Sequence, residues 1–436
     1  MRKIIFSIFP LGALIAQLGA AADFSGNWIA QIQSIGEPQY ARVAIQASGD
    51  KLTGSWGEWK LTGSSAANGV EISLTDSRGQ TVGTLTGAGS GSEIAGKGNM
   101  TLSRRSQGNA EKQVVAWKLS RPAQPQAGGP KTWDFAPTAF YAYYSAKNPP
   151  ALRVFPGDTV RTWTVDAGGL SSKLERLAPG SDSTIGPFYV ENTLPGDTLV
   201  VKLNRLRPNR DSARQGSRIN PRAVTPAFAV AAQYEPGFNS EWKLDREKGI
   251  ATLAHPTDRL RRFAVPILPM LGCVAVAPAG EESFRGTDLG PFGGNLDYNQ
   301  NGEGTTLYFP VFHPGGLFVL GDGHAAMGDG ELTGSALETS MDVEFTVNVI
   351  PGYATPQVRA ETSDYLVSFG VAGSVPDAIQ IATAQLADWL KRDYRLNDNE
   401  VAVVLGTILK YEITELVDPK FDVVAKVPKS ALAALK

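Results

Sequence analysis

The run Gly321-Asp322-Gly323-His324-Ala325-Ala326-Met327-Gly328-Asp329-Gly330-Glu331 sets one imidazole and three carboxylates among four glycines. Neutral His and ionised Asp or Glu are the ligand types for zinc or a harder divalent ion, and glycine lets the backbone come close to a ligand. Asp-Gly is also ordinary turn chemistry, so a solvated turn competes for the same residues. The chain has 3 histidines, His255, His313 and His324. A His-rich zinc site is therefore excluded, and any metal site must draw on carboxylates and water. Neither a Gly-x-Ser-x-Gly elbow nor a Gly-Gly-Ser-Ser-Gly-Gly stretch occurs, and Cys273 sits in the apolar run Leu271 to Val276 as a structural thiol. Without an activated Ser or Cys, water on a divalent ion is the most economical nucleophile for a carbonyl substrate.

These residues need strands to hold them. Leu307 to Phe312, Leu317 to Leu320 and Met341 to Ile350 read as strands, the last with Met341, Val343, Phe345, Val347 and Val349 on a core face. Ala151 to Val154, Thr159 to Val165 and Thr198 to Leu203 add to the sheet, and Asp166 falls at the end of the second of these. Val375 to Arg392 is a helix opened by Pro376 and Asp377, a second helix runs from Glu400 to about Leu409, and Tyr411 to Glu415 and Asp422 to Val427 return to strand. The segment from Arg205 to Arg222, with Arg207, Arg210, Arg214 and Arg218 between, reads as a solvated mobile loop.

Several ordered stretches carry a resemblance from about Phe140 to the C-terminus. They include Gly186-Pro187-Phe188-Tyr189-Val190-Glu191, Pro266-Ile267-Leu268-Pro269-Met270-Leu271-Gly272, Gly293-Gly294-Asn295-Leu296-Asp297, Gly304-Thr305-Thr306-Leu307-Tyr308-Phe309-Pro310 and Leu332-Thr333-Gly334-Ser335-Ala336-Leu337-Glu338. With the His324 loop, they resemble the acetamidase/formamidase family. The resemblance implies hydrolysis of a small amide on a largely β fold, with release of ammonia. Taken with the residue chemistry, it makes His324, Asp166 and Glu338 the expected metal ligands and zinc the expected ion, with calcium as the harder alternative. Asp329 or Asp297 is the expected proton carrier, Glu338 is also counted with the catalytic residues, and Asn295, Met327 and Gly328 are expected to meet substrate. Met327 stands where the family loop usually has Gln, which removes an amide able to bind substrate. The rival reading is a non-catalytic metal- or ligand-binding protein on the same scaffold.

The 436 residues exceed one ordinary core. Short alternating runs between Phe24 and Arg121 predict a small N-terminal antiparallel β barrel or sandwich over 23–121, and Pro122 to Lys131 begins a linker over 122–132. A larger β-rich domain over 133–436 has α+β character near its C-terminus, so the fold class is mainly β. Trp28, Trp56 and Trp59 are either barrel core or aromatic platforms for a polysaccharide. Residues 1–22 read as a cleavable signal, with Arg2 and Lys3 before an apolar run, which predicts a secreted or periplasmic protein and no membrane partner after cleavage. A net charge of −2 gives no footprint for nucleic acid. The expected partner is a small-molecule amide, with a homo-oligomer left open.

Overall fold

The computed structural model describes residues 24–67, 69–103, 110–125 and 127–435. The signal segment 1–22 lies outside the described residues. The chain divides into two compact units at Pro122 and Ala123.

The first unit is a closed barrel of eight strands, Gly26–Gln33, Gln39–Ser48, Lys51–Trp56, Trp59–Ala66, Gly69–Thr75, Thr81–Gly89, Glu93–Ser103 and Ala110–Ser120. Each pairs antiparallel with the next, and Ile29 opposite Ser120 closes the ring. Its interior is filled by side chains that alternate inward, among them Leu52, Leu61, Leu74, Leu85 and Ile94. Trp28 and Trp56 are buried there, and Trp56 meets Trp117 edge-on at 5.9 Å between ring centroids. Core packing accounts for Trp28 and Trp56, and Trp59 is partly buried against the same cluster. Leu52-Thr53-Gly54 and Leu61-Thr62-Gly63 read locally as strand ends, yet both lie within strands. A Cβ on Gly63 would stand 2.1 Å from the carbonyl oxygen of Glu71, so glycine there permits the close approach of neighbouring strands in a tight barrel.

The second unit packs two sheets face to face. One has six strands in the order Leu152–Val154, Thr184–Val190, Phe318–His324, Met270–Ala275, Gly293–Asn295, Leu289–Gly290. The other has nine: Lys410–Glu415, Phe421–Pro428, Tyr365–Ala372, Arg359–Glu361, Thr306–Pro310, Thr198–Pro208, Met341–Ile350, Thr159–Trp163 and Thr132–Asp134. Phe188 and Phe318 of the first sheet meet Phe345 of the second at 5.0 and 5.4 Å, which fixes the two inner faces against each other. A small four-stranded sheet, Ser212–Arg214, Glu241–Asp245, Ile250–Leu253 and Ala264–Pro266, adjoins them.

Helix Val375–Tyr394 starts where the Ser374 side chain accepts from the Asp377 amide, and it buries Ala382, Leu386, Trp389 and Leu390 against Leu366, Ala425 and Val427. Helix Asp398–Ile408 opens with a capping box between Asn397 and Glu400. The segment 205–222 is not a loose loop. Arg205 and Arg207 lie in a strand, Arg207 pairs with Glu303, and Arg210 is buried on Asp166. These acids are distant in sequence, which is why local charge balance misses them.

Phe345 is buried at the sheet interface among Phe188, Phe318 and Val343. Phe345→Ala is expected to cost about 3–5 kcal/mol through lost burial and a residual cavity. Denaturant unfolding of the full chain measures it, and a loss below about 1 kcal/mol would contradict this packing.

Candidate active site

Asp322 and His324 are two residues apart on strand Phe318–His324 and so project to the same face. The partner strand Met270–Ala275 sets Leu271 opposite Gly323 and Cys273 opposite Gly321, which leaves Gly272 facing Asp322. A Cβ on Gly272 would lie 2.3 Å from Asp322 Oδ2 and 2.4 Å from Asp297 Oδ1. Glycine at this point makes room for two carboxylates. Asp297 follows strand Gly293–Asn295 on the far side of Met270–Ala275. The chain after His324 bulges through 325–330 and returns with Glu331, and Glu338 then bridges back to His324. Glu415 ends strand Lys410–Glu415 of the other sheet, and its backbone pairs with Gly330.

The result is a buried anionic cluster around one imidazole. His324 Nε2 lies 3.2 Å from Glu338 Oε2, 3.3 Å from Asp322 Oδ1 and 3.9 Å from Glu331 Oε1, and Nδ1 lies 3.8 Å from Asp297 Oδ1. None of these contacts has hydrogen-bond geometry. Both ring nitrogens of His324, both oxygens of Asp297, Asp322 Oδ1, Glu338 Oε2 and Glu415 Oε2 are buried without a hydrogen-bond partner. Among the described residues, the side-chain ion-pair contacts of Asp297, Asp322, Glu331 and Glu338 are all with His324. Ligand atoms of Asp297, Asp322 and His324 lie within 4.8 Å of one another, as do those of His324, Glu331 and Glu338 and those of Asp297, Glu415 and Asp418. Asp297, Asp322 and Glu331 hold left-handed backbones at φ 43°, 54° and 43°. That conformation is uncommon outside glycine and often marks sites where geometry serves function.

Burial is the largest cause of every raised carboxyl here, with neighbouring carboxylates adding to it. Glu331 rises to about 10, Glu415 to about 8, Glu338 to about 7 and Asp297 well above its ordinary value, while His324 opposes the rise at Glu331, Glu338 and Asp297. Asp418 rises to about 7 and Asp182, at φ 54°, to about 9. Burial disfavours the His324 imidazolium, but Glu338 and Asp322 more than reverse that and raise its pKa well above the usual imidazole range.

The structure brings His324, Glu338 and Asp297 together and adds Asp322, Glu331, Glu415 and Asp418. It does not bring Asp166 to them. Both Asp166 oxygens are engaged elsewhere, Oδ1 by the Leu170 amide at 2.8 Å and Oδ2 by Arg210 at 2.6 Å. Asp329 is exposed and accepts from Asn299 at 2.7 Å. Met327 is half-buried and Gly328 exposed on the loop beside His324. Asn295 is buried, with Oδ1 2.9 Å from Cys273 Sγ and its amide donating to Asp418 Oδ2 at 3.0 Å. The Cys273 thiol is itself buried and pushed up, first by that burial. Asp322 and Glu331 belong to the glycine-rich run, where alternation with His324 could have selected Asp322. Glu415, Asp418 and Asp182 carry no comparable sequence signal.

Comparison with known proteins bears on the same residues. Residues 275–366, which include Asp297, Asp322, His324, Glu331 and Glu338, match the model of the Acetamidase/Formamidase family. No curated protein sequence matches the chain. Among solved structures, an acetamidase from Yersinia enterocolitica is 26% identical with a TM-score of 0.59, covering 70% of this chain and 94% of its own. A predicted acetamidase/formamidase from the thermophile Thermoanaerobacter tengcongensis is 25% identical with a TM-score of 0.60, covering 70% and 99%. An acetamidase from Bacillus halodurans shares the fold at 22% identity and a TM-score of 0.58, covering 69% and 99%. Over the matched stretch, which carries the buried acids, and in its fold, the chain is similar to the acetamidase/formamidase family.

Proposed function

We propose that the protein hydrolyses the carbon–nitrogen bond of a small linear amide with a divalent cation held by His324, Asp322, Asp297, Glu331 and Glu338. The carrying observation is the buried set of oxygens and ring nitrogens without hydrogen-bond partners around His324. Such atoms cost free energy unless something pairs with them, and a cation fits a donor set of one imidazole and several carboxylates. The imidazole suits zinc, and the oxygen majority also suits calcium. When bound, the ion would polarise an amide carbonyl and lower the pKa of water towards ~7.

The chain's own residues supply the rest. Asp322 and Asp297 fit side by side because Gly272 has no side chain, and Glu338 keeps Oε2 towards the site because the Ala336 amide occupies Oε1 at 2.8 Å. Asn295 holds Asp418 Oδ2, and the carboxyl, pushed to about 7, carries a proton near neutral pH. That proton passes to the leaving nitrogen as water adds to the carbonyl carbon and the carbon–nitrogen bond breaks, and the proton that the water gives up restores the Asp418 carboxyl. The products are a carboxylic acid and ammonia.

The test pairs elemental analysis of purified protein with ammonia release from formamide, acetamide and larger linear amides. About one or more divalent ions per chain with turnover is expected, and His324→Ala should lose most of the metal. A metal-free active enzyme would remove the cation from this reading. Metal without turnover on any amide would leave a binding protein. Asp418→Asn is expected to lower kcat by about 10²–10⁴-fold with metal content intact. A change below threefold would exclude Asp418 as proton carrier.

Stability should report the same charge. A buried carboxyl with a raised pKa binds more protons when folded than when unfolded, so its stabilising proton is lost as pH rises from about 4 through the folded value. For Asp418 and Glu415 those values are about 7 and about 8. Chelator-treated protein should therefore lose Tm between about pH 5 and 8, and added divalent ion should reduce that loss. A chelated protein whose Tm is flat across this range would contradict an uncompensated cluster.

A further inference from the structure

We infer that Arg210 is a positioning residue that holds the main chain of Glu338 against His324, and that Asp166 serves the site by holding Arg210. This rests on the reading of Glu338 as a cation ligand. The Arg210 side chain is 4% exposed, and its guanidinium donates in five directions. Nε reaches the Ser212 carbonyl at 3.0 Å, and Nη1 reaches those of Leu170 and Ser171 at 3.4 and 3.3 Å. Nη2 donates both to Asp166 Oδ2 at 2.6 Å and to the Glu338 carbonyl at 3.1 Å. One nitrogen thus joins the carboxylate at the end of strand Thr159–Trp163 to the backbone of a site residue.

The contact adds a side-chain clamp to a backbone bridge, in which the Ala325 amide donates to the Leu337 carbonyl and the Thr339 amide to the Gly323 carbonyl, both at 2.8 Å. The Glu338 carbonyl otherwise accepts from the Arg214 amide at 3.2 Å, and its own amide donates to the Arg214 carbonyl at 2.8 Å. Its side chain is oriented by the Ala336 amide on Oε1, leaving Oε2 3.2 Å from His324 Nε2. The segment Arg210 to Arg214 therefore grips Glu338 on both sides, through a guanidinium at one end and a backbone bridge at the other. A rigid planar donor can serve several acceptors at once where a lysine ammonium cannot. Groups that orient metal ligands in this way typically change affinity or activity by about 10–100-fold when removed.

Removing one partner would strand a buried charge, so the informative variant removes both: Asp166→Asn with Arg210→Met. Zinc affinity is measured by chelator competition on the full chain, beside Tm and the kcat and KM for acetamide. The double variant is expected to bind zinc about 10–100-fold more weakly and to lose kcat more than it raises KM. Arg210→Lys, which keeps the charge beside Asp166, should fall between it and the wild type and serves if the double variant does not fold. Leu386→Ala, in the helix layer, gives the effect of destabilisation alone. Zinc affinity in the double variant or in Arg210→Lys equal to wild type, or lowered no more than in Leu386→Ala, overturns the inference. A wild-type chain that binds no divalent cation overturns the proposed function and this inference together, whereas normal wild-type binding with undiminished variant affinity overturns this inference alone.

Discussion

Negative charge taken out of water without a matching cation is the constraint around which the second unit is arranged. A carboxylate in a low-dielectric interior is costly, and proteins meet that cost by pairing it, coordinating it or keeping it protonated. At two other buried sites a cation answers the charge. Asp166 has Arg210, and Lys426, 4% exposed, has Glu412. Around His324 the acids face each other and a single imidazole. Protonation answers part of the problem, since burial raises their pKa values, but a proton neutralises one oxygen and leaves the others unpaired. A multivalent cation satisfies many lone pairs at once, and so the same atoms that are a liability alone become a binding site.

The sheets supply what such a cluster needs, which is backbone that does not yield. Asp322 and His324 lie on a central strand flanked by Thr184–Val190 and Met270–Ala275, and their positions follow from a fixed register. Like charges would drive Asp322 and Asp297 apart on a flexible loop. Here the ladder holds one on each side of Gly272, and the left-handed turns at both residues aim them inward. The aromatic contacts of Phe188, Phe318 and Phe345 matter for the same reason, because the hydrophobic layer opposes any relaxation of that strand away from its neighbours.

Where local chemistry decided the structure, the sequence was readable. The alternation from Met341 to Val349 and the proline-opened helix at Val375 appear close to their expected limits, and the helix expected from Glu400 to about Leu409 spans Asp398–Ile408. His324 stood out because an imidazole among glycines and acids is unusual locally, and the family motifs marked Glu338 and Asp297. Convergence across the chain was not readable. Asp166 at a strand end fits a metal ligand and an ion-pair partner equally well, and only the three-dimensional arrival of Arg210 separates these readings. Glu415 ends a strand and Asp418 follows it, more than seventy residues from the loop they approach, in a stretch whose spacing resembles any polar turn. The arginines of 205–222 illustrate the reverse error, since counting only nearby acids hid the more distant partners that order them.

The tryptophans of the first unit pack in or against its core. A sugar platform requires exposed ring faces, and a small eight-stranded barrel has an interior about wide enough for its own side chains. Trp28 is capped inward, its indole nitrogen donating to the Phe24 carbonyl at 3.0 Å, and Trp56 and Trp117 occupy the same core. No group of His, Cys, Asp and Glu side chains comparable to the His324 cluster occurs among the described residues of this barrel, whose buried cluster is made of apolar and aromatic side chains. The buried acids, their unpartnered oxygens and the guanidinium that steadies one of them all belong to the second unit. The groups suited to the proposed amide chemistry therefore lie in that unit.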